Sequence, residues 1–194
     1  MNVIISVVLL FLACTGFSQE WTEKQISEAN TAVKITILSK IEKDIIKYIN
    51  LTRLYPKQFV KNEIANYYGS SKYGEDLTNS TYKASLIKHL NTMQAIGILQ
   101  FDIEAYENAK CLGKEQEKNG SIGHKRKKCK DGAYGECCSY GMDTGKDVIM
   151  QWLVDEKLQS VGHRLNCLNK SYTKIGVSVN PHKKWDVSSI ADFY

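Results

Sequence analysis

Several sequence patterns that mark common enzyme families are missing from this chain. It has no G-x-S-x-G nucleophile elbow, no H-E-x-x-H zinc helix, no phosphate-binding loop and no dinucleotide-binding glycine fingerprint. It also shows no tandem repeat and no low-complexity domain. These absences argue against the serine hydrolases, metalloproteases, nucleotide-binding enzymes and repeat proteins that such patterns define.

An excess of charge of one sign is also missing. The 194 residues include 26 Lys and Arg against 21 Asp and Glu, a formal net charge of +5. A charge of this size does not indicate a nucleic-acid partner. One dense basic run, HKRKKCK at residues 124–130, has no aromatic residue among its charges, which further weakens that interpretation. We interpret the run as a solvated loop, with a patch for an anionic surface or glycan as the alternative.

Apolar runs long enough to span a membrane are absent. Residues 3–13, VIISVVLLFLA, are shorter than the roughly 20 residues a spanning helix needs, and they suit the core of a signal peptide. We predict a signal peptide at residues 1–18, cut between Ser18 and Gln19, and no transmembrane segment in the mature chain. The protein is then secreted and extracellular. The alternative is a lipoprotein anchored through Cys14.

The composition, 43% hydrophobic and 24% charged, is typical of one globular domain. We predict a polar, loosely attached leader at residues 19–37 and one domain at residues 38–194. Apolar residues from Leu38 to Leu51 follow helical spacing, and Pro56 ends that pattern. Residues 69–82 have the composition of a surface loop, and residues 101–120 contain a second helix.

Residues 144–179 predict a helix, a turn and then a strand. Thr144 suits an N-cap, and the spacing of Val148, Ile149, Trp152 and Glu156 is that of one helical face. Gly162 interrupts this pattern, and residues 172–179 alternate as a half-buried strand does. Glu156 and His163 are therefore held between two regular elements, in a chain of the α+β class.

The same stretch resembles the signature of bacterial CAP-domain proteins, the superfamily of cysteine-rich secretory proteins, antigen 5 and plant pathogenesis-related proteins. The matching positions are Trp152, Glu156, Gly162, His163, Arg164, Asn166, Leu168, Asn169, Tyr172, Thr173, Ile175, Gly176, Val177 and Val179. Two shorter patterns agree: Asn50-x-x-Arg53-x-x-Pro56, and Tyr134-Gly135-Glu136, after which Cys137 replaces the family's Asn. The resemblance implies a three-layer α-β-α sandwich with a central antiparallel sheet.

The resemblance also implies a cleft of two histidines and two glutamates, which falls here on His124, Glu136, Glu156 and His163. Imidazole and carboxylate donors suit a divalent cation, zinc being favoured, with water in an open coordination position. We favour a non-enzymatic protein that binds this cation and an extracellular ligand, lipid or cell surface. The alternative is a metal-dependent extracellular hydrolase. No catalytic residue is assigned.

Five cysteines follow Cys14: Cys111, Cys129, Cys137, Cys138 and Cys167. In an exported protein they predict disulfides rather than a metal site, because they form no paired C-x-x-C knuckles. Their odd number leaves at least one thiol unpaired in a monomer. If Glu136 and His163 share one site, as the resemblance implies, Cys137 or Cys138 lies near Cys167, and Cys111 pairs with Cys129.

Overall fold

A computed structural model describes residues 20–70, 72, 76–130 and 132–194. The predicted signal peptide and the alternative lipid site at Cys14 lie outside the described residues. The helices are α1 (Glu23–Ala29), α2 (Lys40–Leu54), α3 (Pro56–Phe59), a π-helix (Val60–Ile64), α4 (Thr81–Thr92), α5 (Ile103–Asn119), α6 (Gly145–Val154) and α7 (Gly162–Cys167). Within these described ranges, none of the helices has the length and apolar character needed to cross a membrane.

Four strands form one sheet in the order β1-β3-β4-β2. They are β1 (Gln100–Phe101), β2 (Gly135–Tyr140), β3 (Lys174–His182) and β4 (Asp186–Phe193). The three long strands are antiparallel, as predicted, and the two-residue β1 adds a parallel edge to β3. In the register of β2 against β4, Glu136 lies directly opposite Asp192. Two carboxylates are therefore placed side by side on one face of the sheet.

Helices cover both faces of this sheet, which confirms the predicted α+β, three-layer α-β-α sandwich. Helix α5 packs on β3 and β4 from one side. It approaches closely because Gly176 has no side chain: an added Cβ would lie 1.9 Å from the backbone nitrogen of Tyr106. On the other face, Ile175, Val177 and Phe193 join α2 and α6 in the larger hydrophobic core.

The polar residues of the Asn50-x-x-Arg53 pattern tie α2 to distant loops. The side chain of Asn50 accepts a hydrogen bond from the Leu99 backbone nitrogen at 2.8 Å and donates to the Leu99 carbonyl at 3.0 Å. Arg53 is fully buried, and burial lowers its pKa to about 10. Its guanidinium donates to the carbonyl oxygens of Gly97, Cys167, Asn169 and Tyr172. This pattern therefore has a structural role that is separate from the cleft.

The prediction that residues 19–37 attach loosely is wrong. Helix α1 lies within this segment, and both Ala29 and Ala32 are fully buried. The indole nitrogen of Trp21 donates to Glu63 at 2.6 Å. Two alanines and the indole pack against the core together with Ile26 and Ile35, whereas Val33 and Ile37 stay exposed. The segment has a polar composition because few of its residues make this contact. The limits proposed for the domain remain a prediction.

Helix α6 begins as predicted but ends earlier. The Thr144 side chain accepts a hydrogen bond from the Asp147 backbone nitrogen, which confirms the N-cap. The helix ends at Val154 because Asp155 adopts a left-handed conformation, with φ of 56°. Glu156 therefore follows the helix and does not lie on its face. The predicted turn before the strand is also wrong in part, since Gly162 begins α7, a helix too short to show clear periodicity.

Candidate functional site

A cavity of about 380 Å³ opens where the loop after α5, strand β2 and the α6–α7 connection meet. Its lining residues are Ile122, Gly123, His124, Cys138, Tyr140, Gln151, Asp155, Glu156, Leu158 and His163. Three of the four predicted site residues, His124, Glu156 and His163, are among them. The ring centroids of the two histidines lie 6.3 Å apart. The fourth residue, Glu136, reaches the site through its contact with His124.

Asp155 positions His163, and sequence reasoning missed it. Its carboxylate lies 2.7 Å from Nδ1 of His163 and accepts a hydrogen bond from that residue's backbone nitrogen at 2.9 Å. Asp155 is 1% exposed. Because Asp155 engages Nδ1, Nε2 is the ring nitrogen available to a ligand. A buried carboxylate behind an imidazole is the usual support of a metal-binding histidine.

Glu156 is anchored from another direction. Its carboxylate accepts a hydrogen bond from the hydroxyl of Ser80. Ser80 is the N-cap of α4, and its hydroxyl oxygen also accepts a hydrogen bond from the Lys83 backbone nitrogen. Glu156, which lies in the α6–α7 connection, is therefore held by the residue that caps the start of α4.

A buried charge cluster supports His124. Oε1 of Glu136 lies 2.7 Å from Nδ1 of His124, and Arg126 donates to the other carboxylate oxygen of Glu136. Arg126 also pairs with Asp192 at 3.1 Å. The Arg126 side chain is only 5% exposed, so the prediction of a solvated basic loop is wrong at this position. Arg126 is buried because the two facing carboxylates on β2 and β4 require a counter-charge. Its neighbour Lys127 has no such role and remains exposed.

The cluster shifts the protonation of its members. The hydrogen bond with Glu136 raises the pKa of His124 above its usual value. Burial opposes ionisation of Glu136, but the contact with His124 and the charge of Arg126 outweigh it, so the pKa of Glu136 is lowered. Burial raises the pKa of Asp192 to about 7, against the opposing effect of Arg126. Of the two facing carboxylates, Glu136 is therefore the one that ionises at the lower pH.

Cys138 completes a compact set of donor atoms. Its sulfur lies 3.7 Å from Nδ1 of His124 and 3.9 Å from Oε1 of Glu136. Burial, followed by the charge of Glu136, raises the pKa of the Cys138 thiol. One donor from each of these three residues lies within 4.8 Å of the others. This donor set fits a divalent cation such as zinc. Glu156 and His163 line the same cavity outside this three-residue group.

The cysteines divide into one bridge and three thiols among the described residues. Cys111 and Cys129 form a disulfide across 18 residues, which confirms the predicted pairing. Cys137, Cys138 and Cys167 are free and buried. Cys137 contacts Cys167, as predicted. The disulfide closes the segment that carries His124, so it restrains one wall of the cavity.

Fold and cleft together define an α-β-α sandwich in which two histidines meet across a small cavity rich in metal-donor groups. The family model described as CAP, the cysteine-rich secretory protein family, matches residues 78–193. Because this match covers more than half of the chain, the chain belongs to that family, as the motifs predicted. The bacterial subgroup remains a prediction.

Two solved structures are similar to the chain. A hookworm platelet inhibitor is 12% identical, with a TM-score of 0.46, over 81% of this chain and 70% of that chain. A structure of NaASP2 with Zn²⁺ is 14% identical, with a TM-score of 0.47, over 80% of each chain. No curated protein matched the sequence. The family assignment therefore rests on the family model.

Proposed function

We propose that this protein binds a divalent cation, zinc being favoured, in the cleft between His124 and His163. One observation carries the proposal: two imidazoles from separate elements line one cavity with their centroids 6.3 Å apart, next to a carboxylate and a thiol. Neutral imidazole and carboxylate oxygen are common zinc donors. The four proposed ligands are those predicted from the sequence, His124, Glu136, Glu156 and His163.

The surrounding residues suit this role. Asp155 holds the ring of His163, and Ser80 holds the carboxylate of Glu156. Arg126 balances the negative charge that Glu136 and Asp192 place behind His124. When bound, the cation supplies a positive centre for an anionic or polar group of a ligand.

Calorimetry with Zn²⁺ tests the proposal. The wild-type protein should bind zinc, and the double variant His124→Ala/His163→Ala should lose that binding while remaining folded by circular dichroism. His89→Ala is the matched control, because His89 lies in α4 and is not a lining residue of the cavity. The proposal of a cation site would be wrong if the wild type bound no zinc or if the double variant bound zinc equally well.

The ligand we favour is amphipathic, in line with the predicted lipid or surface partner. Ile122 and Leu158 line the cavity although they are 58% and 46% exposed. These side chains offer an apolar contact beside the metal donors, which suits a fatty acid with a carboxylate head. Exposed apolar groups that gather at a cavity are typical of ligand sites.

A fluorescent fatty acid serves as the probe. We expect zinc-loaded protein to bind it and Leu158→Asp to weaken binding, because the new charge opposes both the acyl chain and its carboxylate. Leu165→Asp is the control: Leu165 is 55% exposed but does not line the cavity. Equal binding of the fatty acid by both variants would exclude the cavity around Leu158 as its binding site.

We also propose that the protein is secreted. The family is one of secretory proteins, and the Cys111–Cys129 disulfide is consistent with an oxidising compartment. N-terminal sequencing of the exported protein should begin at Gln19. A lipid-modified N-terminus at Cys14, lost in Cys14→Ser, would establish the lipoprotein form instead.

The Asp155–His163 pair also favours a second candidate function, metal-dependent hydrolysis of extracellular peptide bonds. A buried carboxylate bonded to Nδ1 fixes the His163 ring so that Nε2 can hold the cation, which would polarise a peptide carbonyl while a glutamate of the cleft accepts a proton. Turnover of a peptide library with zinc present, abolished in Asp155→Asn with the fold retained, would establish an enzyme. If no peptide is cleaved, the binding function stands alone.

A further inference from the structure

We propose that the sulfur of Cys138 is itself a ligand of the cation, so that the cleft prefers zinc to magnesium or calcium. This inference rests on the proposed cation-binding function. It brings in a ligand that the predicted set of two histidines and two glutamates does not contain. With His124, Glu136 and Cys138 on a tetrahedral cation, one position is left for His163, Glu156 or water. It also assigns a role to a buried free thiol that packs beside Ala109, Leu112 and Ile190 at the edge of the cavity.

The strand places the thiol on the correct face. Glu136 and Cys138 are two residues apart in β2, so both side chains lie on the side of the sheet that faces His124. Cys137, between them, packs into the core on the opposite face. The pair of adjacent cysteines thus contains one thiol at the cleft and one remote from it.

The distances are close to those of a zinc site. With Zn–S near 2.3 Å and Zn–N and Zn–O near 2.1 Å, tetrahedral geometry separates sulfur from nitrogen or oxygen by about 3.6 Å, and nitrogen from oxygen by about 3.4 Å. The sulfur of Cys138 is already 3.7 Å from Nδ1 of His124 and 3.9 Å from Oε1 of Glu136. Only the 2.7 Å contact between His124 and Glu136 has to open for a cation to enter.

Thiolate coordination accounts for the selectivity. The Zn–S bond forms as the thiol loses its proton to solvent, so the step needs no oxidant and no reductant. Sulfur is a soft donor that favours zinc and cobalt, whereas magnesium and calcium take oxygen ligands.

Cobalt(II) is the spectroscopic probe, because a cobalt–thiolate bond produces a charge-transfer band in the near ultraviolet. The wild-type protein and Cys137→Ala should both show this band with cobalt, and Cys138→Ala should lack it. Cys138→Ala should also weaken zinc binding by at least about tenfold. Both variants remove one buried thiol of equal size, so circular dichroism on each reports any loss of fold.

The outcomes separate the two proposals. Zinc binding without the cobalt band, and with equal affinity in Cys138→Ala, would overturn the role of Cys138 and leave the cation site standing. A band that disappears in Cys137→Ala but persists in Cys138→Ala would also overturn it. Absence of zinc and cobalt binding in the wild type would overturn the cation site and this inference together.

Discussion

Arg126 provides the positive charge that balances the two carboxylates behind the cleft. Its buried guanidinium pairs with Glu136 and Asp192, and Asp192 is fully buried. Arg126→Ala should lower the free energy of unfolding by about 3 to 5 kcal/mol at pH 7, because it leaves two facing carboxylates without a counter-charge. Urea denaturation measures the loss. The deficit should grow as pH rises through about 7, where Asp192 gives up its proton.

Lys127→Ala is the neighbouring control. Lys127 is exposed in the same basic run, so its removal should change stability by less than about 0.5 kcal/mol. Equal stability of the two alanine variants would show that Arg126 is not the counter-charge of the cluster.

The pKa of His124 reports its contact with Glu136. In the metal-free protein this contact raises the pKa of His124. The contact therefore stabilises the fold fully below pH 6.5, the ordinary histidine value. Its contribution is lost as the pH rises through the higher pKa of the folded state. Glu136→Gln should lower the pKa of His124, as followed by NMR titration of its ring protons. The pKa of His89 in α4, which burial lowers, should be the same in both proteins. An unshifted His124 in the variant would contradict this account.

At the scale of elements, the packing of α5 on β3 depends on Gly176. Gly176→Ala should destabilise the protein by about 1 to 3 kcal/mol or more, since a methyl group there meets helix backbone rather than a movable side chain. The midpoint of thermal unfolding measures this. Gly97→Ala is the matched control, because nothing lies within 4 Å of its added Cβ. A Gly176→Ala midpoint equal to that of Gly97→Ala would mean that α5 shifts freely over the sheet.

At the scale of the whole molecule, the Cys111–Cys129 disulfide should contribute both to the stability of the fold and to the cation affinity of the cleft. It closes 18 residues, so Cys111→Ser/Cys129→Ser should lose about 3 kcal/mol of stability. Cation affinity should fall as well, because the freed segment carries His124. Calorimetry and denaturation on the same samples check both effects. Chemically reduced wild type should behave like the double variant. Unchanged zinc affinity in both would show that the disulfide does not restrain the cation site.

The sequence predicted those features whose cause is local or repeated along the chain. Helical spacing identified α2 and the start of α6, because their apolar faces recur every 3.6 residues. Motif spacing predicted the family, the α-β-α sandwich and the meeting of His124 with His163 at one cavity. It did not predict α7, which is too short to establish a period.

The sequence by itself therefore determined the family, the layered fold and the cysteine pairing that closes the cleft loop. Only the tertiary structure decided which charges meet. Arg126 and Asp192 are 66 residues apart in the chain, and strand register places Asp192 opposite Glu136. Asp155 holds His163 because the chain turns left-handed at the end of α6. Such contacts follow from register and turn geometry, which local composition and periodicity do not encode.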